Sequence, residues 1–205
     1  GAWLQTNVSP RKFNNIVEYL QSPPSNTGAL AAAFTLFLLL HDLKMNVQQQ
    51  VRTNGGMRSP EFWSAMGEFF AKQPLGMDKS RFMHGGVVWS VDGLEDTNHI
   101  YRRGVKWEKL FANMKAYSET GAKSLWEFLL FDHNKHQVEE ARALSEKMGF
   151  EKFNVKKSNR FFSNTRGAVK TEHQAGNRKG AATAVISMPK NPEYQNAAIK
   201  GMVEL

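Results

Sequence analysis

The apolar positions of the first third recur mostly at helical spacing. Phe13, Ile16, Val17 and Leu20 form one stripe, which predicts a helix over residues 11–21 with Ser9 as its N-cap and Pro10 at its first position. Ser22-Pro23-Pro24-Ser25 stops it. Residues 29–43 are apolar nearly all round, the pattern of a helix buried on several sides. A shorter segment, 46–52, has Val47 and Val51 as its apolar anchors and ends in Thr53-Asn54-Gly55-Gly56. It reads as a strand followed by a turn. A helix then restarts at Ser59-Pro60-Glu61, with the serine as cap, the proline at the first position and the glutamate at the positive end of the dipole. Phe62, Met66, Phe69 and Phe70 supply its inner face, and Pro74, Gly76 and Asp78 mark the loop that follows.

The central third alternates more sharply. Val87 to Trp89 is a short apolar run broken by Ser90-Val91-Asp92-Gly93. That is the signature of a buried parallel strand and the loop leading to its helix. The helix is expected from Trp107 to Thr120, with Gly121 as its C-cap. Ser124 to Phe131 is apolar except for Glu127 and reads as a strand. Asn134 is expected to cap a helix from Lys135 to Met148, with Gly149 ending it and one more strand over Phe150–Val155. Alternation of this kind, with short connections, predicts right-handed βαβ units. The fold class is therefore α/β, with βαβ units in a parallel sheet whose count falls short of an eight-fold barrel. Two regions follow, a barrel-like domain over 1–155 and a loop-rich, basic segment over 156–205. The latter carries an expected hairpin arm at Ala182–Met188 and a short helix from Glu193.

Composition sharpens this picture in two ways. The 205 residues contain no cysteine, which excludes disulfides, thiolate metal sites and a cysteine nucleophile within them. The formal net charge is +8 and 41% of residues are hydrophobic. A core is affordable at this length, and the surface favours anionic partners. No apolar run reaches the roughly 20 residues of a membrane span. Nor does a basic leader with an apolar core open the sequence, so a cytoplasmic location and no membrane partner are expected. No Gly-x-Gly-x-x-Gly follows a strand, so a Rossmann dinucleotide site is not expected.

Candidate chemistry gathers after the strand at Val87–Trp89. A hydroxyl, Ser90, a carboxylate, Asp92, and a guanidinium, Arg102, stand where ligands meet the carboxyl ends of parallel strands. On spacing alone, a turn, a cap and a solvated arginine are the favoured account of them. Four segments together carry a more specific signal: Val51 to Trp63, Ser90 to Arg103, Phe128 to Ala141, and Leu144 to Phe153 with Arg160-Phe161-Phe162. In this order they resemble the middle and later part of the radical S-adenosylmethionine barrel, over roughly residues 47–165, which implies a partial or incomplete TIM-like (β/α) barrel of mostly parallel strands. The nearest likeness is to members with a cluster-binding C-terminal extension. The resemblance implies that Ser90 hydrogen-bonds the methionine or ribose part of S-adenosylmethionine. It implies that Arg102 meets the cofactor's carboxylate, and that Thr53 and Asn54 border the substrate and cofactor space. A planar fork donor suits a carboxylate, and a hydroxyl suits a ribose. Asp92 is expected to hold its turn, and Glu127 to face the barrel interior or to make a structural hydrogen bond.

The same family holds a 4Fe–4S cluster on three cysteine thiolates, and this chain has none. Its glycine-rich second-strand motif has only Asn26-Thr27-Gly28-Ala29 as a counterpart, with no apolar strand before it. The expectation is a fragment, a subunit, an inactive relative or a version altered to lack cysteine, related to oxidoreductases but performing no radical chemistry by itself. No catalytic residue and no metal ligand are assigned. His133 and His136, three apart beside Asp132, are read as capping or exposed rather than as a metal pair. Ser90 lacks the His and Asp partners of a nucleophile.

The alternative reading is a non-catalytic protein using its basic C-terminal region on nucleic acid or an acidic partner. Lys156, Lys157 and Arg160 stand there beside Phe161 and Phe162. Basic side chains with aromatic neighbours can bind a phosphate backbone and stack bases. A solvated loop is the favoured account of them, since charge runs are commonly solvated faces. Unpaired edges of an incomplete barrel would invite a homo-oligomer or a covering subunit.

Overall fold

The structure, a computed structural model, describes residues 50–72, 86–163, 168–176 and 182–196. The helices expected over 11–21 and 29–43, the Asn26-Thr27-Gly28-Ala29 segment and the loop at 74–78 lie outside these residues. Residues 51–73 and 86–205 belong to one compact unit.

A four-stranded sheet organises this unit. Its strands run in sequence order, β1 (Gln50–Thr53), β2 (Gly86–Ser90), β3 (Ser124–Leu130) and β4 (Lys152–Lys157). β2 pairs parallel with β3, and β3 parallel with β4. The connections contain α1 (Pro60–Ala71), then α2 (Asn98–Tyr101) and α3 (Trp107–Ser118), then a 3-10 turn (Lys135–Gln137) running into α4 (Val138–Lys147). The expected alternation of strand and helix is thus present.

Register decides which side chains share a face. Val87, Trp89, Trp126, Phe128 and Phe153 alternate onto one side, since Trp89 stands opposite Trp126 and Trp126 opposite Phe153. The helices cover this side. Trp63 of α1 lies 4.6 Å from Trp89, and Tyr117 of α3 lies 5.7 Å from Trp89. Phe150, just after α4, lies 5.8 Å from Trp126, and the Arg142 guanidinium of α4 sits 5.1 Å from the Phe153 ring. Trp63, Trp89, Trp126 and Tyr117 are all fully buried. Their polar atoms are mostly satisfied by backbone: Trp63 Nε1 donates to Met57 O, Trp126 Nε1 to Val91 O and Tyr117 Oη to Lys123 O.

The turn after β1 passes close beneath this aromatic layer. Gly55 has φ +67°, and a Cβ there would meet Leu110 Cδ1 and lie 2.8 Å from Trp89 Cζ3. Glycine is required twice over, by conformation and by space. Asn113 of α3, fully buried, donates to Gly55 O at 2.7 Å and to Met57 O at 3.2 Å and so ties the turn to the helix.

Beyond β4 the chain forms two antiparallel hairpins, β5 (Phe162–Ser163) with β6 (Ala168–Val169) and β7 (Glu172–Gly176) with β8 (Ala182–Ser187). The expected arm at 182–188 is therefore a strand. Phe131, Phe161, Ala175 and Ile186 form a second small core, with Ile100, Tyr101 and Met188 against it. Asp132 N donates to Ser187 O, which docks the second hairpin on the end of β3. The expected terminal helix is a 3-10 turn over Pro192–Tyr194, capped by Asn191 Oδ1 accepting from Glu193 N.

Three local expectations need correction. Asn134 does not cap a helix with its side chain. Its Oδ1 accepts from Phe131 N, and its Nδ2 donates to Asp92 O and Leu129 O, so it clasps two strand ends together. Ser59 occupies the N-cap position without a capping hydrogen bond; its hydroxyl instead engages Glu61 and holds that carboxyl below its usual range. The last strand begins and ends two residues later than expected, at Lys152 and Lys157.

Candidate ligand-binding cleft

The other side of the sheet has a different chemistry. Ser90 stands opposite Glu127, Glu127 opposite Asn154, and Leu129 opposite Lys156. A cleft of about 580 Å³ opens beside these residues, lined by Ser90, Asp92, Arg102, Glu127, Lys156 and Arg160 among others. Its volume suits a small molecule of nucleoside or nucleotide size. It lies toward the carboxyl ends of parallel strands, the usual place for a ligand in an open α/β sheet.

The loop after β2 presents Asp92 and Arg102 with little freedom. Asp92 is fully buried. Its Oδ1 accepts from Leu129 N at 2.7 Å, and its Oδ2 accepts from Arg102 Nε at 2.5 Å. Its own backbone N–H donates to Asn98 Oδ1 at 3.1 Å. Gln137 clamps the loop from the far side: its Oε1 accepts from Leu94 N and Thr97 Oγ1, and its Nε2 donates to Asp96 Oδ1. Gly93, at φ +144°, makes the bend. Burial pushes the Asp92 carboxyl above its usual range, against the opposing pull of the Arg102 guanidinium. Arg102 is therefore not a solvated arginine. One edge of its guanidinium is held by a buried carboxylate, which fixes the direction of the fork.

Tyr101 gathers two cations at the same end of the cleft. The Arg102 guanidinium carbon lies 5.1 Å from its ring centre and that of Arg160 lies 5.3 Å away. The hydroxyl of Tyr101 is raised above its ordinary range, chiefly by burial.

Glu127 is bracketed by two further cations. Arg52 Nη1 reaches Oε2 and Lys156 Nζ reaches Oε1, both at 2.6 Å. Burial works to raise this carboxyl, but the hydrogen bonds from Lys156 and Arg52 outweigh it and hold the group below its usual range. Glu127 is thus a charged brace across three strands on the face expected to be interior.

The four residues assigned by resemblance do not all meet. Ser90 and Arg102 line the same cleft. Thr53 and Asn54 shape the turn after β1: Thr53 Oγ1 accepts from Gly55 N and Asn54 Oδ1 from Gly56 N. Neither is among the residues lining the cleft. Sequence reasoning did not place Lys156, Lys157 and Asn159 at a site with Ser90. The signal was parity: extending the last strand by two residues puts Lys156 on the same face as Glu127. Phe161 is buried in the second core, so its ring does not present a stacking face for bases. His133 stacks on Phe131 at 5.4 Å, and burial lowers its imidazole below the usual range. Among the described residues no three His, Cys, Asp or Glu side chains converge as a metal site, and no helix there is long and apolar enough to cross a membrane.

No protein-family model matches the sequence, and no match emerges among curated proteins. Two solved structures are similar, that of SuiB from Streptococcus suis and that of the same protein bound to S-adenosylmethionine. Each is 13% identical, with a TM-score of 0.47 over 80% of this chain, and the match spans 36% of the SuiB chain.

Proposed function

We propose that this chain is a partial (β/α) barrel of the radical S-adenosylmethionine type that binds S-adenosylmethionine or a related nucleoside in its cleft and performs no radical chemistry by itself. The observation that carries the reading is that Ser90 and Arg102, separated by a loop, line one cleft toward the carboxyl ends of parallel strands. Among the described residues α1, α3 and α4 pack on the opposite side of the sheet, as helices do around barrel staves whose inner face carries the ligand. The Asp92 brace leaves Arg102 aimed as a fork for the cofactor's carboxylate, and Ser90 supplies a neutral hydroxyl. A 4Fe–4S cluster does not fit: the 205 residues contain no thiolate to hold its irons. Bound S-adenosylmethionine would therefore lack the electron donor that cleaves it, unless another polypeptide brought one. Such a polypeptide, or a second copy, is the partner that the sheet edge at β4, which pairs with no further strand among the described residues, would receive.

Isothermal calorimetry with S-adenosylmethionine and S-adenosylhomocysteine tests the reading. Heat is expected with at least one of them, and Ser90→Ala is expected to weaken it severalfold while leaving the thermal melt in place. Absence of heat at millimolar ligand, or an affinity unaltered in Ser90→Ala, would remove the proposal. Ser90→Ala is the cleaner variant, because Arg102→Ala also strips Asp92 of its partner.

A further inference from the structure

The charges lining the cleft do not cancel. Asp92 is answered by Arg102. Glu127 is answered twice, by Arg52 and Lys156. That leaves one cation in surplus at Glu127. Lys157 and Arg160, which also line the cleft, make no ion pair with a carboxylate among the described residues. Arg160 is held over Tyr101 instead, where Arg102 also sits. Like charges gathered against one ring repel, and an anion between them and β4 would relieve the repulsion. Lys156, Lys157 and Arg160 are exposed, so that attraction is open to screening by salt.

We infer that the β4 rim of the cleft, formed by Lys156, Lys157 and Arg160, is a subsite for a phosphate monoester carried by a small molecule. Lys156 and Lys157 end β4, and Arg160 follows after a turn in which Arg160 N donates to Ser158 Oγ. Ser158 is buried, so this turn is anchored. Lys156 and Lys157 leave opposite faces of the strand, yet both line the cleft at its rim together with Arg160, so the three cations are carried there by adjacent backbone. A planar guanidinium and two ammonium groups can together contact all three oxygens of a terminal phosphate. The volume admits a nucleoside monophosphate but not a folded polymer. This goes beyond the binding of a sulfonium nucleoside, which brings a carboxylate but no phosphate.

The test is calorimetry on the full chain with AMP, adenosine and a single-stranded RNA oligonucleotide, each at two salt concentrations. AMP is expected to bind at least tenfold more tightly than adenosine, with an advantage that shrinks as salt rises. In the double variant Lys157→Gln, Arg160→Gln that advantage is expected to vanish. Arg160 also packs on Tyr101, so the exposed Lys157→Gln alone serves if the double variant melts early; it should reduce the advantage severalfold. Equal binding of AMP and adenosine, or an advantage that survives in folded variants, overturns the inference. RNA binding more tightly than AMP overturns the small-molecule assignment. S-adenosylmethionine and S-adenosylhomocysteine both failing to bind while AMP binds would sink the earlier proposal and leave this one standing.

Discussion

The two sides of one sheet do different work with the same strands. On the helix-covered side, Trp89, Trp126 and Phe153 line up in register and are packed by Trp63, Tyr117 and Phe150. On the cleft side, one residue along, stand Ser90, Glu127 and Lys156. The first side gains from burial of large rings, which is insensitive to pH and salt. The second buries Val88 and Leu125 lower on the strands, but its cleft end is held by ion pairs that cost desolvation and return modest net stability. A period of two therefore lets a short strand separate stability from recognition: substitutions on one side should report in the melt, and on the other in ligand binding.

The largest effect that could break this division is on the aromatic side. Trp63→Ala removes a fully buried ring and is expected to cost about 3–5 kcal/mol in urea unfolding. A loss under about 1 kcal/mol would mean that this layer is not the core. Arg102→Ala should come next, at about 2–3 kcal/mol, because it leaves a buried carboxylate without its cation. That residue is the exception that sharpens the comparison, since it serves the cleft and the fold together; Arg102→Ala combined with Asp92→Asn should recover part of the loss in a double-mutant cycle. Gly55→Ala is expected to cost about 1–3 kcal/mol, from positive φ and from contact with Leu110 and Trp89.

What was legible in the sequence follows the same line. The alternating strands and helices of the central block are present, because apolar runs such as Ser124–Leu130 can be buried on both faces only within a covered sheet. Ser90 and Arg102 fell in one cleft because a loop between a strand and its helix returns to the strand's end. The lysines of β4 were read as the start of a loop. Charged residues at the end of a strand have no hydrophobic period to mark them, and only pairing with Leu129 and Leu130 places them in the sheet. Asn98, Asn134 and Gln137 were equally silent. Each is buried and bonds backbone, Asn98 within its own loop and Asn134 and Gln137 some 40 residues away, and no local pattern announces a polar side chain with such partners. The short helix α2 went unread for the same reason, being a single turn held by its loop.

The smallest effect separates the two carboxylates of the cleft. Glu127 has its pKa lowered from a reference of 4.5. A group depressed in the folded state stabilises it above the unfolded value and loses that contribution as pH falls through the folded one. Glu127 should therefore support the fold from neutral pH down to about 4.5 and surrender that support below it. Because Arg52 and Lys156 are about half exposed, the amount is about 0.5–1 kcal/mol. Asp92 runs the other way: its raised carboxyl means that ionisation weakens the native state as pH climbs past 3.8, its ordinary value. The two oppose each other over acid pH, so the whole-protein curve reports neither one alone. Subtracting the unfolding free energy of Glu127→Gln from that of the parent between pH 3 and 7 isolates the first. The difference should favour the parent at pH 6 and fade toward pH 3. A difference that grows toward low pH would place Glu127 outside its bracket of cations and turn the cleft side into ordinary surface.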